Sequence, residues 1–162
     1  MQIKRGWIPG GLSGTRITLT LMRRYVEAAQ SDPFLYRLAR SIVANIPGKD
    51  HAAEAAALYQ WVRRNIRYRW DPKDHESLQT PFNTVRMHSG DCDDMSILIA
   101  ALAESLGLRA RFMVGGHTKG EYQHVWPEVA VGGRWMALDA TENRGAGWRP
   151  PLPYLMAAEK SR

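Results

Sequence analysis

The 162 residues are enough for one domain with a hydrophobic core and few for two. Apolar residues at 44% against 23% charged exclude a disordered chain, and six Trp with six Tyr supply bulky core or cleft material. The formal charge of +6 raises an anionic partner, but the arginines fall in pairs, Arg23 with Arg24 and Arg63 with Arg64, on expected solvent faces rather than in a tract interleaved with aromatics, which disfavours nucleic acid.

The N-terminal "MQIKRGWIPGG" breaks at Pro9 and Gly10 before an apolar core of signal-peptide length develops, so no secretion signal is expected, and with Gly10, Gly11 and Gly14 residues 1–14 read as a flexible arm. From about Thr15, Ile17, Leu21, Tyr25 and Val26 fall at helical spacing until "QSDPF". There Asp32 is placed to cap a second helix and Pro33 to occupy its first turn, with Leu35, Leu38, Ile42, Val43 and Ile46 as the buried stripe before Pro47 and Gly48. Asp50 caps a third helix that turns Leu58, Trp61, Val62 and Ile66 inward and leaves Arg63, Arg64 and Arg67 in solvent. The stretch "RYRWDPKDHESLQTPFNTVRMHSG", interrupted by Pro72 and Pro81, predicts an irregular surface connection, a kind of loop that often carries function.

After it, Met95, Leu98, Ile99, Leu102, Ala103 and Leu106 repeat at three and four, predicting a buried central helix closed by Gly107. Three strands follow, from Leu108, Tyr122 and Arg134, the last two joined by a Gly132–Gly133 hairpin turn. Residues 142–162, rich in Gly and Pro, read as a tail that covers the domain or hangs free, leaving 15–141 as a single domain. The longest apolar run, Met95 to Leu108, is broken by Glu104 and Ser105, so no membrane span is expected. A lone cysteine makes no internal disulfide, and a cytoplasmic location is expected.

That cysteine, Cys92, stands between Asp91 and the pair Asp93 and Asp94. Asp91 is at an N-cap position and Asp94 three residues on, which sets the thiol in the first turn of the buried helix. There the helix dipole favours a thiolate and the Cys92 N–H is an orphan donor. The three carboxylates oppose it. A helix terminus contributes roughly 0.3 to 1 kcal/mol, and two charges 4 Å apart interact by about 1 kcal/mol even in water, so a reactive Cys92 needs a neighbouring imidazolium.

The hairpin selects one. With Gly132 and Gly133 as its turn, opposed residue numbers add to 265, Trp126 lies opposite Asp139, and His124 is the diagonal neighbour of Asp139 on the same face. A bulge at Pro127 is the foreseeable disturbance. Cys92, His124 and Asp139 are then the parts of an acyl-transfer triad. The bland readings stand beside this one: Cys92 as a small core residue, His124 as an ordinary strand residue, Asp139 as a turn cap, Trp126 and Trp135 as packing. His51, His75, His88 and His117 fall in loops or caps, and no C-x-x-C or H-E-x-x-H motif is present, so no metal and no cofactor is expected.

The blocks "GDCDDMSILIAALAESLGLRARFMVGG", "HVWPEVAVGGRW" and "ALDAT" resemble, over about Tyr59 to Thr141, the core of the transglutaminase-like superfamily, and most of all its short bacterial and phage or prophage members. The resemblance implies an α+β, papain-like fold, with N-terminal helices and a central cysteine-bearing helix packed on a small antiparallel sheet. It implies Cys92 as nucleophile, His124 as general base and Asp139 as orienting group, acting on a protein or peptide substrate by hydrolysis or by acyl transfer. It also implies an oxyanion donor upstream of the cysteine, for which Trp70 and Gln79 are available. Some relatives bind calcium near such acids, but adjacent carboxylates suit helix capping better. The competing expectation is a non-catalytic module of the same fold, such as a component of a phage particle. Oligomeric state is not legible.

Overall fold

The computed structural model describes residues 8–71 and 77–158. The first seven residues of the expected arm, the last four of the tail, and 72–76 with Pro72 and His75 lie outside them. Helix α1 (Gly11–Ala29) begins before the predicted Thr15 and buries Leu19, Met22, Val26 and Ala29. Ile17, expected inside, is 44% exposed. It lies five residues from Met22, roughly 140° round the helix, and the predicted stripe passed over Met22. Helix α2 (Pro33–Ile42) starts as expected, Asp32 accepting the Phe34 N–H at 2.8 Å, and buries Leu35 and Ala39. In α3 (His51–Asn65) Asp50 accepts the Ala53 N–H at 3.0 Å, and Leu58, Tyr59 and Val62 are buried.

The connection predicted to be irregular holds three short elements: β1 (Arg67–Tyr68), α4 (Pro81–Met87) and β2 (Ser89–Gly90). Thr80 caps α4 with Pro81 in its first turn, and His88 ends it in the left-handed region. Two turns are too few to show a period in sequence. β1 and β2 pair in parallel, with the Arg67 N–H on the His88 carbonyl and the Arg69 N–H on the Gly90 carbonyl, both at 2.9 Å. The chain is thereby fixed two residues ahead of Cys92.

Helix α5 (Cys92–Ser105) is the centre of the molecule, with every residue from Asp94 to Ala103 buried. Gly107, at φ +84°, lets the chain reverse so that the Leu108 N–H returns to the Ala103 carbonyl and the Gly107 N–H to that of Glu104, both at 3.0 Å. Helices α1 to α4 all pack on α5, which lies in turn on β3 (Ala110–Gly116) and β4 (His124–Val131). With β5 (Arg134–Ala137) and β6 (Tyr154–Ala158) these strands form an antiparallel sheet of order β5-β4-β3-β6. The architecture is α+β, as expected.

β6 is the departure: part of the segment read as a tail pairs along β3, Gly116 opposite Tyr154 and Phe112 opposite Ala158. Pro150, Pro151 and Pro153 hid it, and a proline just before an edge strand costs no ladder hydrogen bond. On the sheet face away from α5, Met113, Trp126 and Ala137 are buried beneath Leu152. Leu152 sits so close to β3 that a Cβ on Gly115 would fall 2.5 Å from its Cδ1. No helix among the described residues is long and apolar enough to cross a membrane.

Candidate active site

The site is built on the first turn of α5. Asp91 Oδ1 accepts the Asp94 N–H at 3.1 Å, and Asp94 Oδ2 accepts the Asp91 N–H at 3.4 Å, a complete capping box. Asp94 folds back so tightly that a Cβ on Gly90 would lie 2.6 Å from its own Cβ, which explains the glycine two residues before the cysteine. The Asp93 backbone also hydrogen-bonds to the Asp91 carboxylate. Of the donors that a helix start leaves without intrahelical partners, the Cys92 N–H is therefore the one the box leaves over.

Gln79 is consumed here. Its N–H and its Nε2 each donate to Asp94 at 2.7 Å, and Nε2 also reaches the Ser89 carbonyl at 3.2 Å. It faces a different crevice, lined by Met87, Gly90 and Asp94. Trp70, the other expected oxyanion candidate, is 80% exposed and stands edge-on to Tyr68 at 5.1 Å between ring centres.

Burial dominates the electrostatics. It pushes the Asp91 carboxyl up to about 7, with Asp94 adding to the effect, and it raises Asp94 against the hydrogen bonds from Gln79. Burial also pushes the Cys92 thiol well above its ordinary range; Asp93 and Asp91 add to this, and a hydrogen bond from the Val125 backbone works against it. Desolvation and the carboxylates thus favour the neutral thiol, against the pull of the helix dipole.

The hairpin register is the predicted one. Val131 pairs with Arg134 and Glu128 with Ala137, and Pro127, which lacks an N–H, still accepts the Leu138 N–H at 2.9 Å without a bulge. His124 and Asp139 consequently meet, Nε2 to Oδ2, at 2.6 Å. The other carboxylate oxygen accepts the Thr141 N–H at 3.1 Å and its hydroxyl at 2.6 Å. Asp139 is 3% exposed, so its orientation is held from both sides. With Nε2–H donating to Asp139, Nδ1 of His124 is the nitrogen left to accept a proton. The imidazole lies over buried Trp126, ring centres 5.8 Å apart.

Residue 125 joins the two halves. Ser96, one turn after Cys92 on α5, donates to the Val125 carbonyl at 3.3 Å, while the Val125 backbone hydrogen-bonds to Cys92. The helix start is thus docked to the residue next to His124. Cys92 and His124 line one cleft lobe of about 240 Å³, whose far wall includes Thr18 and Met22 of α1. A second lobe of about 460 Å³ runs from His124 and Asp139 to Trp148, Pro150 and Leu152. Tyr68 and Trp70 border both lobes. Burial raises the Tyr68 phenol, and the carboxylates of Asp91, Asp93 and Asp139 add to the shift, which sets it beside the acids of the site. Sequence reasoning missed Tyr68 and Trp148; the only signal for Tyr68 was its place just after an apolar helix end. Among the described residues no group of three or more His, Cys, Asp or Glu is arranged to hold a metal ion.

A family model for the transglutaminase-like superfamily matches residues 37–140. Among solved structures, a candidate cysteine protease from Cytophaga hutchinsonii aligns at TM-score 0.55 and 27% identity, covering 66% of this chain and 36% of that one. A candidate protease from Parabacteroides distasonis aligns at TM-score 0.59 and 12% identity, covering 75% of this chain and 25% of that one. LapG from Legionella pneumophila aligns at TM-score 0.53 and 14% identity, covering 76% of this chain and 75% of that one. This chain thus spans about a third and a quarter of the first two proteins. No curated protein matches the sequence.

Proposed function

The chain belongs to the transglutaminase-like superfamily, and from that membership we propose that it is a cysteine enzyme acting on amide or peptide bonds of proteins through Cys92, His124 and Asp139. The observation that carries the reading is the 2.6 Å contact between His124 Nε2 and Asp139, which leaves Nδ1 as the proton acceptor beside a lobe that His124 shares with Cys92. Neighbours described as proteases support the coarser conclusion, a cysteine-protease-like enzyme.

Because burial and the carboxylates of Asp93 and Asp91 favour the neutral thiol, proton transfer accompanies attack in this reading. Cys92 Sγ bonds to the carbonyl carbon as Nδ1 takes its proton, and the Cys92 N–H donates to the oxyanion. The imidazolium, held by Asp139, then protonates the amine as the C–N bond breaks, leaving a thioester on Cys92. Water or a second amine, deprotonated by His124, resolves the thioester. Transfer requires that water be kept out until the amine arrives.

A second reading is favoured by the setting of Cys92, where burial and the carboxylates of Asp93 and Asp91 disfavour a thiolate. In it the fold serves as a structural or interaction module, such as a phage-particle component, and Cys92 is idle. Mass spectrometry of candidate protein substrates incubated with the wild type and with Cys92→Ala separates the two. Cleavage, deamidation or crosslinking that vanishes in the variant supports the enzyme; identical products from both support the module.

A further inference from the structure

We infer that the second cleft lobe, between Trp70 and Trp148, selects the amine side of the substrate, and that it takes an aromatic or bulky aliphatic side chain there. The inference rests on the triad reading and extends it to specificity. The acyl carbon must bond to Cys92, which borders only the first lobe, whereas the departing nitrogen must lie at His124, which borders both. An amide crossing from carbon to nitrogen therefore runs from the first lobe into the second. By microscopic reversibility an acceptor amine enters along the path by which the leaving amine departs, so one lobe screens both.

The chemistry of the lobe follows from its walls. Trp70, Trp148, Pro150, Pro151 and Leu152 present ring and aliphatic surface, and the adjoining polar groups are largely committed, Asp139 to His124 and Thr141. Glu142 is the carboxylate at the rim, which disfavours an acidic side chain.

The Trp148 wall is built into the fold. The Gly147 N–H donates to the Ala137 carbonyl at 2.7 Å, Arg149 Nε donates to the fully buried Glu128 at 2.8 Å, and Leu152 packs over Trp126. A preformed apolar recess favours a large side chain over a hydrogen by roughly 1.5 to 3 kcal/mol, about 10- to 150-fold.

The test uses peptides sharing one acyl side and carrying Phe, Leu, Gly or Glu after the scissile bond, with kcat/KM read by mass spectrometry. Alongside it, phenylalanine amide and glycine amide are titrated into ¹⁵N-labelled Cys92→Ala and the Trp indole signals followed. We expect the wild type to favour Phe or Leu over Gly by at least about 10-fold and Trp148→Ala to bring that ratio near unity. Each ratio is internal to one variant, so reduced folding of Trp148→Ala does not imitate the effect, and the highly exposed Trp70→Ala serves as a second, fold-neutral probe. Phenylalanine amide, not glycine amide, should shift the Trp148 indole. A wild-type ratio near unity, a ratio untouched by both substitutions, or a Trp148 signal that does not move overturns the inference. Turnover of none of the peptides defeats the triad reading instead, and the Trp148 titration still decides whether the lobe binds such a side chain.

Discussion

Cys92 shows why a lone residue's surroundings matter more than its position in a motif. A helix N-terminus favours the thiolate, yet burial and the carboxylates of Asp93 and Asp91 outweigh it. In the proposed triad, reactivity comes from a base that acts at the moment of attack, a role His124 can take only in one tautomer. Asp139 fixes that tautomer through Oδ2 while Thr141 occupies Oδ1. Replacing Asp139 with Asn preserves the shape and lets the new amide donate to Nε2, which moves the ring proton to Nδ1. We expect kcat to fall about 10³- to 10⁴-fold with KM little changed; steady-state kinetics on any peptide substrate measures it, and a loss confined to KM contradicts the tautomer role.

At the scale of elements, the capping box that starts α5 also carries a pH signature. The folded state holds the Asp91 proton up to about pH 7, against an ordinary carboxyl near 3.8. The native state therefore binds protons more tightly than the unfolded chain, and the stability this gives is complete below about pH 4 and lost as pH rises through 7. Asn caps a helix as well as Asp does, so Asp91→Asn should be increasingly more stable than the wild type from pH 4 to 7, by on the order of a few kcal/mol at most. Urea midpoints across that range measure the difference; a difference independent of pH contradicts the burial of the acid.

Elements whose signals are local were readable from sequence. Asp32 and Asp50 capped their helices, the D-C-D-D run formed the box, and two glycines set a register that brought His124 to Asp139. Elements that depend on distant partners were not. α4 is too short for a period, β6 exists because β3 offers it an edge, and α1 is turned about its axis by where Met22 meets the core. Gln79 looked available for the oxyanion because nothing in sequence ties it to Asp94, fifteen residues on.

At the scale of the molecule, Glu128 ties the C-terminal segment to the sheet. Its carboxylate, fully buried, receives Arg111 from β3 at 2.7 Å and Arg149 from the cleft wall at 2.8 Å. Glu128→Gln keeps the volume but removes the charge shared by two guanidinium groups. We expect a loss of about 3 to 5 kcal/mol, with faster hydrogen exchange in residues 147–158 than in α5. Denaturation with exchange mass spectrometry reads both, and protection of 147–158 at the wild-type level would contradict the tie.

The most direct measurement of the central claim is intact-mass detection of an acyl group on Cys92 after rapid mixing with an activated ester, in the wild type and in His124→Ala. A neutral thiol served by His124 predicts prompt acylation of Cys92 in the wild type and a rate lower by at least about 10²-fold in the variant. Acylation at one slow rate in both proteins, typical of a bystander thiol, would contradict it.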